Sequence, residues 1–381
     1  MKSARDRILH VIKVKGVSGA ENHLLTLLPE LNRTFDISLV FLVEPGNDME
    51  DFVSKFKAHG IPVLRINMRY HLDPTVIWKI YYLIRKWKPH IVHTHLLHGD
   101  LYGISAALFT GSKILVSTKH GYDNYENTSV FYRLNGILGR WLDKVITISH
   151  ALKPKVAEAE GISPSKMVTI HYGLDAEEYA ALKDEGLARS ILGVGPEVCI
   201  LGTVGRLVPV KGYETLLEAL AGLARDYRLL IMGDGPLRGA LEKKCGELGI
   251  SEKVVFLGFT SRVSAILSGI DLFVLPTLGE GFGLVLLEAM AHRLPIVSTN
   301  TMAVPEIVED HHTGLLVPPR DVTALRRALE TLIKDPARRR VMGEEGWKKL
   351  KNEFSVDRMV RETSDLYKDL LEKYRRGVRH N

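Results

Sequence analysis

The chain has 381 residues, a length that suits two or three domains of ~150 residues and excludes a single small binding module. Hydrophobic residues at 45% and charged residues at 25% allow a sizeable core and exclude wholesale disorder, collagen and coiled coil. With 51 basic against 45 acidic residues the net charge is +6, which favours anionic partners without the excess of a dedicated DNA binder.

The basic start, MKSARDRILHVIKVKG, contains a short apolar run at residues 8–14 broken by His10 and Lys13, so it reads as a first strand rather than a signal peptide. Further β-branched runs follow at 37–43, 63–66, 91–95, 113–118, 145–148 and 167–170, separated by segments of helical periodicity. Such alternation predicts parallel strands covered by helices. Residues 175–196 are rich in Ala, Gly and charge and lack β-branched runs, and a domain boundary at 180/181 falls there. The strand series restarts at 198–204, 228–232, 254–257, 272–275, 295–298 and 314–317, alternating with helices such as 213–224. So long a series predicts two doubly wound α/β domains with a cleft between them. Residues 321–351 then read as helical, with Leu325, Ala328, Leu329, Leu332 and Ile333 on one stripe, and 355–374 as a last helix.

Cys199 and Cys245 cannot build a disulfide framework, and no Cys/His spacing of a structural zinc site exists, which points to a reducing, cytoplasmic compartment. No run of about 18 apolar residues without a charge occurs, so no membrane-spanning helix is expected. Peripheral contact stays open. Residues 52–120 are strongly basic, and 75–88 interleave Trp78, Tyr81, Tyr82 and Trp87 with Lys79, Arg85, Lys86 and Lys88. That composition suits an anionic membrane boundary and equally a core-packed helix with a solvated basic face.

Two segments carry the chemistry. In VCILGTVGRLVPVKGYETLLEALAGLA, residues 198–224, a buried strand leads through Gly205 into a loop with Arg206 and Lys211, and Gly212 opens a helix. Two cations beside a helix N-terminus suit a diphosphate; an ordinary loop with solvated basic residues reads from the same letters. In LFVLPTLGEGFGLVLLEAM, residues 272–290, a strand ends in a glycine-rich loop holding Glu280, and a helix begins near Gly283. Gly281 and Gly283 allow a sugar or phosphate close to the backbone, and Glu288 lies in an apolar run where an ionised carboxylate needs a partner, such as a ribose diol. A glycine-rich turn with one salt-bridged Glu remains the alternative. The first half offers a loop at Gly16, Val17, Ser18 and Gly19, and His120 after a strand; both lie at carboxyl ends of strands, where open parallel sheets bind ligands. His93, His95 and His98 fit a strand end better than a metal site. GDGPLRG at Gly233 departs from a dinucleotide fingerprint at Arg238 and lacks its acidic partner.

Taken together these motifs resemble the retaining glycosyltransferases of family 4 (glycosyltransferase group 1), which have the GT-B fold of two Rossmann-like domains facing across a cleft. GRLVPVKG at 205–212 matches the family's Gly-Arg … Lys-Gly segment and EGFGLVLLE at 280–288 its two-glutamate motif. Gly233-Asp234-Gly235-Pro236, Gly258-Phe259, Pro305-Glu306 and 314–318 follow in the family order, after Ser18-Gly19-Ala20-Glu21, His120-Gly121, Ser149 and 172–175. The resemblance implies an acceptor-side domain at 1–180, a donor domain at 181–354 and a last helix, 355–381, crossing back to the first. By it, Arg206 and Lys211 hold the donor diphosphate, Glu288 the ribose, Glu280 the transferred sugar, Gly258 and Phe259 the base. Gly281, Phe282, Gly283 and Leu284 line the donor, Gly19 closes on it, and His120 stands beside sugar and acceptor. The leaving nucleoside diphosphate can then be stabilised without a metal or other cofactor. Four departures stand out: Met302-Ala303 and Ser18 where glycines are usual, Tyr172 where Asn is common, and His292-Arg293 in place of a small residue and Gly.

The expectation is therefore a retaining transferase moving a sugar from a UDP- or GDP-sugar to a glycan or lipid-linked acceptor, in bacterial cell-surface polysaccharide or glycolipid synthesis. It is cytoplasmic, with peripheral contact to an anionic membrane through the first domain and no nucleic-acid partner. A GT-B nucleotide-sugar epimerase, or a non-catalytic nucleotide-sugar-binding partner protein, is the rival.

Overall fold

The computed structural model describes residues 5–16, 18–47, 49–70, 72–112, 114–121 and 129–377, the side chains of 129–132 excepted; Val17 and Lys113 lie outside them. In chain order the elements are β1 (Arg7–Lys13), α1 (Gly19–Leu31), β2 (Asp36–Val43), α2 (Glu50–Ala58), β3 (Val63–Asn67), α3 (Thr75–Trp87), β4 (Ile91–His95), α4 (Leu96–Thr110), β5 (Ile114–Lys119), α5 (Ser129–Gly139), β6 (Lys144–Thr147), α6 (Leu152–Glu160) and β7 (Met167–Thr169). Then come α7 (Ala176–Ala181), α8 (Leu187–Leu192), β8 (Cys199–Val204), α9 (Tyr213–Ala221), β9 (Tyr227–Met232), α10 (Arg238–Glu247), β10 (Val254–Gly258), α11 (Val263–Leu267), β11 (Leu272–Leu275) and α12 (Leu284–Ala291). The chain closes with β12 (Ile296–Thr299), α13 (Val304–Ile307), β13 (Gly314–Val317), α14 (Val322–Lys334), α15 (Pro336–Glu353) and α16 (Val356–Arg375).

The chain divides into two units, one of residues 1–173 with 356–381 and one of residues 174–355. The first holds a seven-stranded sheet in the order β3-β2-β1-β4-β5-β6-β7, the second a six-stranded sheet in the order β10-β9-β8-β11-β12-β13. All pairs are parallel. Strands buried on both faces need continuous apolar runs, which is why β2 reads Ile-Ser-Leu-Val-Phe-Leu-Val with only Ser38 polar after its first residue. Two Rossmann-like domains of the predicted kind are therefore present.

The first core gathers Ile8, Ile12, Leu24, Leu28, Phe41 and Phe56, and α16 adds Met359, Tyr367, Leu370 and Leu371 to it. In the second, Leu201, Leu216, Leu229, Val274 and Leu329 lie fully buried together. The unit begins at Leu174, before the boundary at 180/181 read from the sequence, because α7 packs on α12 and α15.

Two helix readings need correction. Residues 321–351 form two helices rather than one: Pro336 has no N–H to continue α14, and the Asp335 side chain caps α15 by accepting from Arg338 N. The helix read as 213–224 stops at Ala221, where Gly222 ends α9. No helix among the described residues is long and apolar enough to cross a membrane.

Candidate active site

In the second sheet β8 and β11 are neighbours, and the connections that follow them run to opposite sides, so a crevice opens at their carboxyl ends. The loops after these strands, residues 205–212 and 276–283, are laced together. Leu278 N donates to Val210 O at 2.7 Å and Thr277 Oγ1 to the same oxygen at 3.1 Å. Gly212 makes this approach possible: it has φ 67°, and a Cβ on it would lie 2.0 Å from Pro276 O.

The lacing brings Lys211 and Glu280 together although 69 residues separate them, Lys211 Nζ donating to Glu280 Oε2 at 2.5 Å. Their side chains are 19% and 17% exposed, so the pair is at the surface of the crevice rather than sealed within it. Arg206 in the same loop is exposed. Helices α9 and α12 start at Gly212 and Gly283, and neither has a side-chain cap, so their first N–H groups are left for an anion.

The neighbouring loops continue the lining. A Cβ on Gly233 would lie 2.0 Å from Gly205 O, Gly233 N donates to Gly258 O at 2.8 Å, and Leu207 N to Asp234 O at 3.0 Å. Gly258, with φ 73°, ends β10 and leaves Phe259 beyond it 83% exposed, an apolar ring free to be covered by a planar group. On the other side Ala303 N donates to Glu280 O at 3.3 Å.

Glu288, one turn into α12, is half-buried and hydrogen-bonded to Tyr179 of α7. Burial pushes its carboxyl up to about 7, against the opposing effect of that bond, and the Tyr179 phenol is raised by its own burial and by Glu288. The sequence reading missed Tyr179, since α7 lies in the segment read as a domain boundary. Among the other candidates, Phe282 is buried with its ring edge-on to Phe354, Leu284 and Gly281 are half-buried, and Gly283 has the left-handed φ of 99° that opens α12.

The first sheet has its own switch point between β1 and β4. Gly19 there is the first residue of α1, with open space where a Cβ would stand. Ser18 caps the helix and Glu21 answers it, Ser18 N donating to Glu21 Oε2 at 3.0 Å, a capping box that the sequence reading treated as part of a glycine loop.

His120 follows β5 and is half-buried. Its Nε2 shares a proton with His95 Nδ1 at 2.9 Å and its Nδ1 meets Tyr172 Oη at 2.5 Å. His95 Nε2 in turn meets His10 Nδ1 at 2.9 Å. Desolvation, then the charges of His23 and Lys119, hold the His120 imidazole well below the usual range, so it is neutral at pH 7. Of the histidines weighed together in the sequence, His93 and His95 share a face of β4, whereas His98 lies in α4 and His10 of β1 joins them instead.

Two doubly wound parallel sheets, each with polar side chains gathered at its switch point, have the architecture of the GT-B class. Residues 17–178 match the family model described as Glycosyltransferase Family 4 and residues 188–349 that of Glycosyl transferases group 1, and the chain belongs to these glycosyltransferases. It is 28% identical to an Escherichia coli UDP-Gal:alpha-D-GlcNAc-diphosphoundecaprenol alpha-1,3-galactosyltransferase over 97% of this chain and 99% of the relative. It is 29% identical to a Mycolicibacterium smegmatis GDP-mannose-dependent alpha-(1-6)-phosphatidylinositol monomannoside mannosyltransferase over 86% of this chain and 89% of that one. The crystal structure of Anabaena HepE in complex with UDP-glucose shares the fold, with a TM-score of 0.84 at 22% identity over 95% of this chain and 99% of that one.

Proposed function

We propose that the protein is a retaining glycosyltransferase that takes a sugar from a UDP- or GDP-sugar and places it on a glycan or lipid-linked acceptor of a bacterial surface polysaccharide or glycolipid. The observation that carries the reading is the Lys211–Glu280 pair at the switch point of the second sheet, flanked by Arg206 and two uncapped helix N-termini. A diphosphate there gains charge-assisted hydrogen bonds from Lys211 and Arg206 and from backbone N–H groups. As the sugar–phosphate bond breaks, the same groups receive the charge that develops on the leaving phosphate, which is the part a divalent ion would otherwise play. No metal is needed in this scheme.

The remaining roles follow the family resemblance. Phe259 stacks on the base, Glu288 holds the ribose, and Glu280 positions the transferred sugar as Lys211 turns to the phosphate. The leaving phosphate takes the acceptor proton on the face it departs from, through an oxocarbenium-like state, so configuration is retained. By the same resemblance His120 hydrogen-bonds the sugar as a neutral imidazole rather than ionising. Relatives acting on a diphosphoundecaprenol-linked sugar and on a phosphatidylinositol mannoside support a lipid-linked acceptor. So does α3, which buries Val76, Ile80 and Ile84 and turns Trp78 and Tyr82 outward beside exposed Lys79, Arg85 and Lys86.

A thermal-shift screen tests the reading, with the purified chain in EDTA against UDP, GDP, ADP and their glucose, galactose and mannose conjugates. A rise in melting temperature with one nucleotide family, absent in Lys211→Ala, is expected. No rise with any of them, confirmed by calorimetry, overturns it.

A further inference from the structure

Tyr172, His120, His95 and His10 form one unbroken hydrogen-bonded line through the first domain, with links of 2.5, 2.9 and 2.9 Å. His95 and His10 are 0% exposed, and His10 Nε2 at the far end is a buried atom with no partner among the described residues. Burial first, and the neighbouring histidines after it, hold all three imidazoles below their usual range, His10 down to about 3. The line therefore consists of neutral rings, each with one N–H and one lone pair.

That count constrains it. A link between two nitrogens takes one proton, so every ring must donate in the same direction along the line, and no ring can change tautomer alone. A metal does not suit the cluster. His10, His93 and His95 each bring a ring nitrogen within 4.8 Å of the others, but both nitrogens of His93 are engaged, with Tyr367 Oη at 2.5 Å and Thr118 Oγ1 at 2.7 Å. Both nitrogens of His95 are engaged as well.

We propose that His95 and His10 are positioning residues that fix the tautomer of His120, the direction being set by Tyr172, whose phenol donates to His120 Nδ1. A phenol is a better acid than a neutral imidazole, so the short Tyr172 link runs from oxygen to nitrogen. His120 Nε2–H then donates to His95 Nδ1, His95 Nε2–H to His10 Nδ1, and His10 keeps an unpaired N–H in the core. Either direction leaves His10 Nε2 unpaired, as an N–H or as a lone pair, so the choice between them falls to the Tyr172 end. The consequence for the site deepens the transferase reading and rests on it. A substrate hydroxyl that takes the place of the Tyr172 hydroxyl and donates to Nδ1 as it did keeps the direction of the line, so His120 favours a sugar hydroxyl there. A carboxylate of an acidic sugar can only accept, and would force every ring of the line to change tautomer.

The test is a long-range proton–nitrogen correlation spectrum of the full chain labelled with 15N-histidine, at pH 7, for wild type, Tyr172→Phe, His10→Leu and His10→Asn. Wild type should show His120, His95 and His10 as neutral Nε2–H tautomers. Tyr172→Phe removes the donor, and His10→Leu removes the last acceptor; in both His120 loses its single-tautomer signal. Asn at position 10 keeps a polar atom where Nδ1 stood and restores that signal. An Nδ1–H tautomer for His120 in wild type, or a wild-type His120 pattern in both disrupting variants, overturns the proposal. If His10→Leu does not fold, the wild-type spectrum decides the line, an Nδ1–H tautomer on His95 or His10 overturning it, and Tyr172→Phe, which removes one oxygen, decides its direction. The spectrum needs no substrate, so a failed nucleotide screen with intact tautomer coupling refutes only the transferase reading. The converse result refutes only the coupling.

Discussion

Replacing Lys211 by Ala separates the two things that this side chain does. Without ligand it neutralises Glu280 at 2.5 Å. On the proposed reading, a bound donor turns it from Glu280 toward a phosphate oxygen. The first role bears on folding as well, because both side chains are about four-fifths covered and Ala leaves the Glu280 carboxylate partly buried without its cation, so a fall in melting temperature should accompany the substitution. The second is a hydrogen bond between charged groups, worth about 1.5–3 kcal/mol, which corresponds to roughly 10- to 150-fold in nucleotide affinity. The uncompensated Glu280 carboxylate then adds repulsion toward the diphosphate. Glu280→Gln should act in the opposite sense on binding: Lys211 no longer has a competing anion, so UDP or GDP affinity stays or tightens while sugar transfer falls. Calorimetry with the nucleotide chosen by the thermal screen measures both. Equal affinity in wild type and Lys211→Ala, or weaker binding in Glu280→Gln, would refute the exchange of partners.

Two other expectations follow from the geometry. Burial holds the Glu288 carboxyl at about 7, above its unfolded value, so the folded chain takes up a proton there and the stability this contributes is present below about 4.5 and lost as pH rises to 7. Ionised Glu288 accepts from a ribose diol better than its acid form, so nucleotide affinity should rise through pH 7, and Glu288→Gln should abolish that rise; a pH-independent wild-type affinity counts against the ribose role. Liposome flotation tests the outer face of α3: each cation near an anionic surface is worth about 1 kcal/mol, so Lys79, Arg85 and Lys86 should give binding that high salt removes. Equal flotation with neutral vesicles would show that charge plays no part.

The strands were legible because a parallel sheet demands uninterrupted apolar runs, and β4, β11 and β13 begin and end where their runs do. The break between α14 and α15 was equally present in Asp335-Pro336, within a segment read simply as helical. The site divides along the same line. Residues at the ends of strands could be placed on their loops, Lys211 after β8 and Glu280 after β11, whereas the fact that these two strands are neighbours shows only in the sheet order. Partners arriving sideways could not: Tyr179 reaches Glu288 from a short helix with no motif, and Tyr172 reaches His120 from beyond β7. His10 did leave a signal. It interrupts an apolar strand, and a histidine kept in such a place requires a hydrogen-bonding partner inside the core.

Two departures from the family pattern put side chains where the backbone has a glycine-like conformation. Met302 and Arg293 stand where glycines are usual, and they retain glycine-like conformations, with φ of 43° and 54°. A side chain in that region costs ~1–2 kcal/mol, so each must be held by its surroundings. For Arg293 the hold is visible: its guanidinium lies 3.1 Å from Glu344 and 4.4 Å over the Trp347 ring. A Cβ on Gly343 of α15 would lie 1.9 Å from Arg293 O, so helix and turn meet backbone to backbone. Met302 brings its sulfur to 3.3 Å from where a Cβ on Gly279 would stand, directly before Glu280. Met302 thus adds an apolar wall beside Glu280, the carboxylate proposed to position the sugar. On the proposed reading, differences in which sugar is accepted would then arise from that wall rather than from any rearrangement of the charged groups proposed to receive the diphosphate.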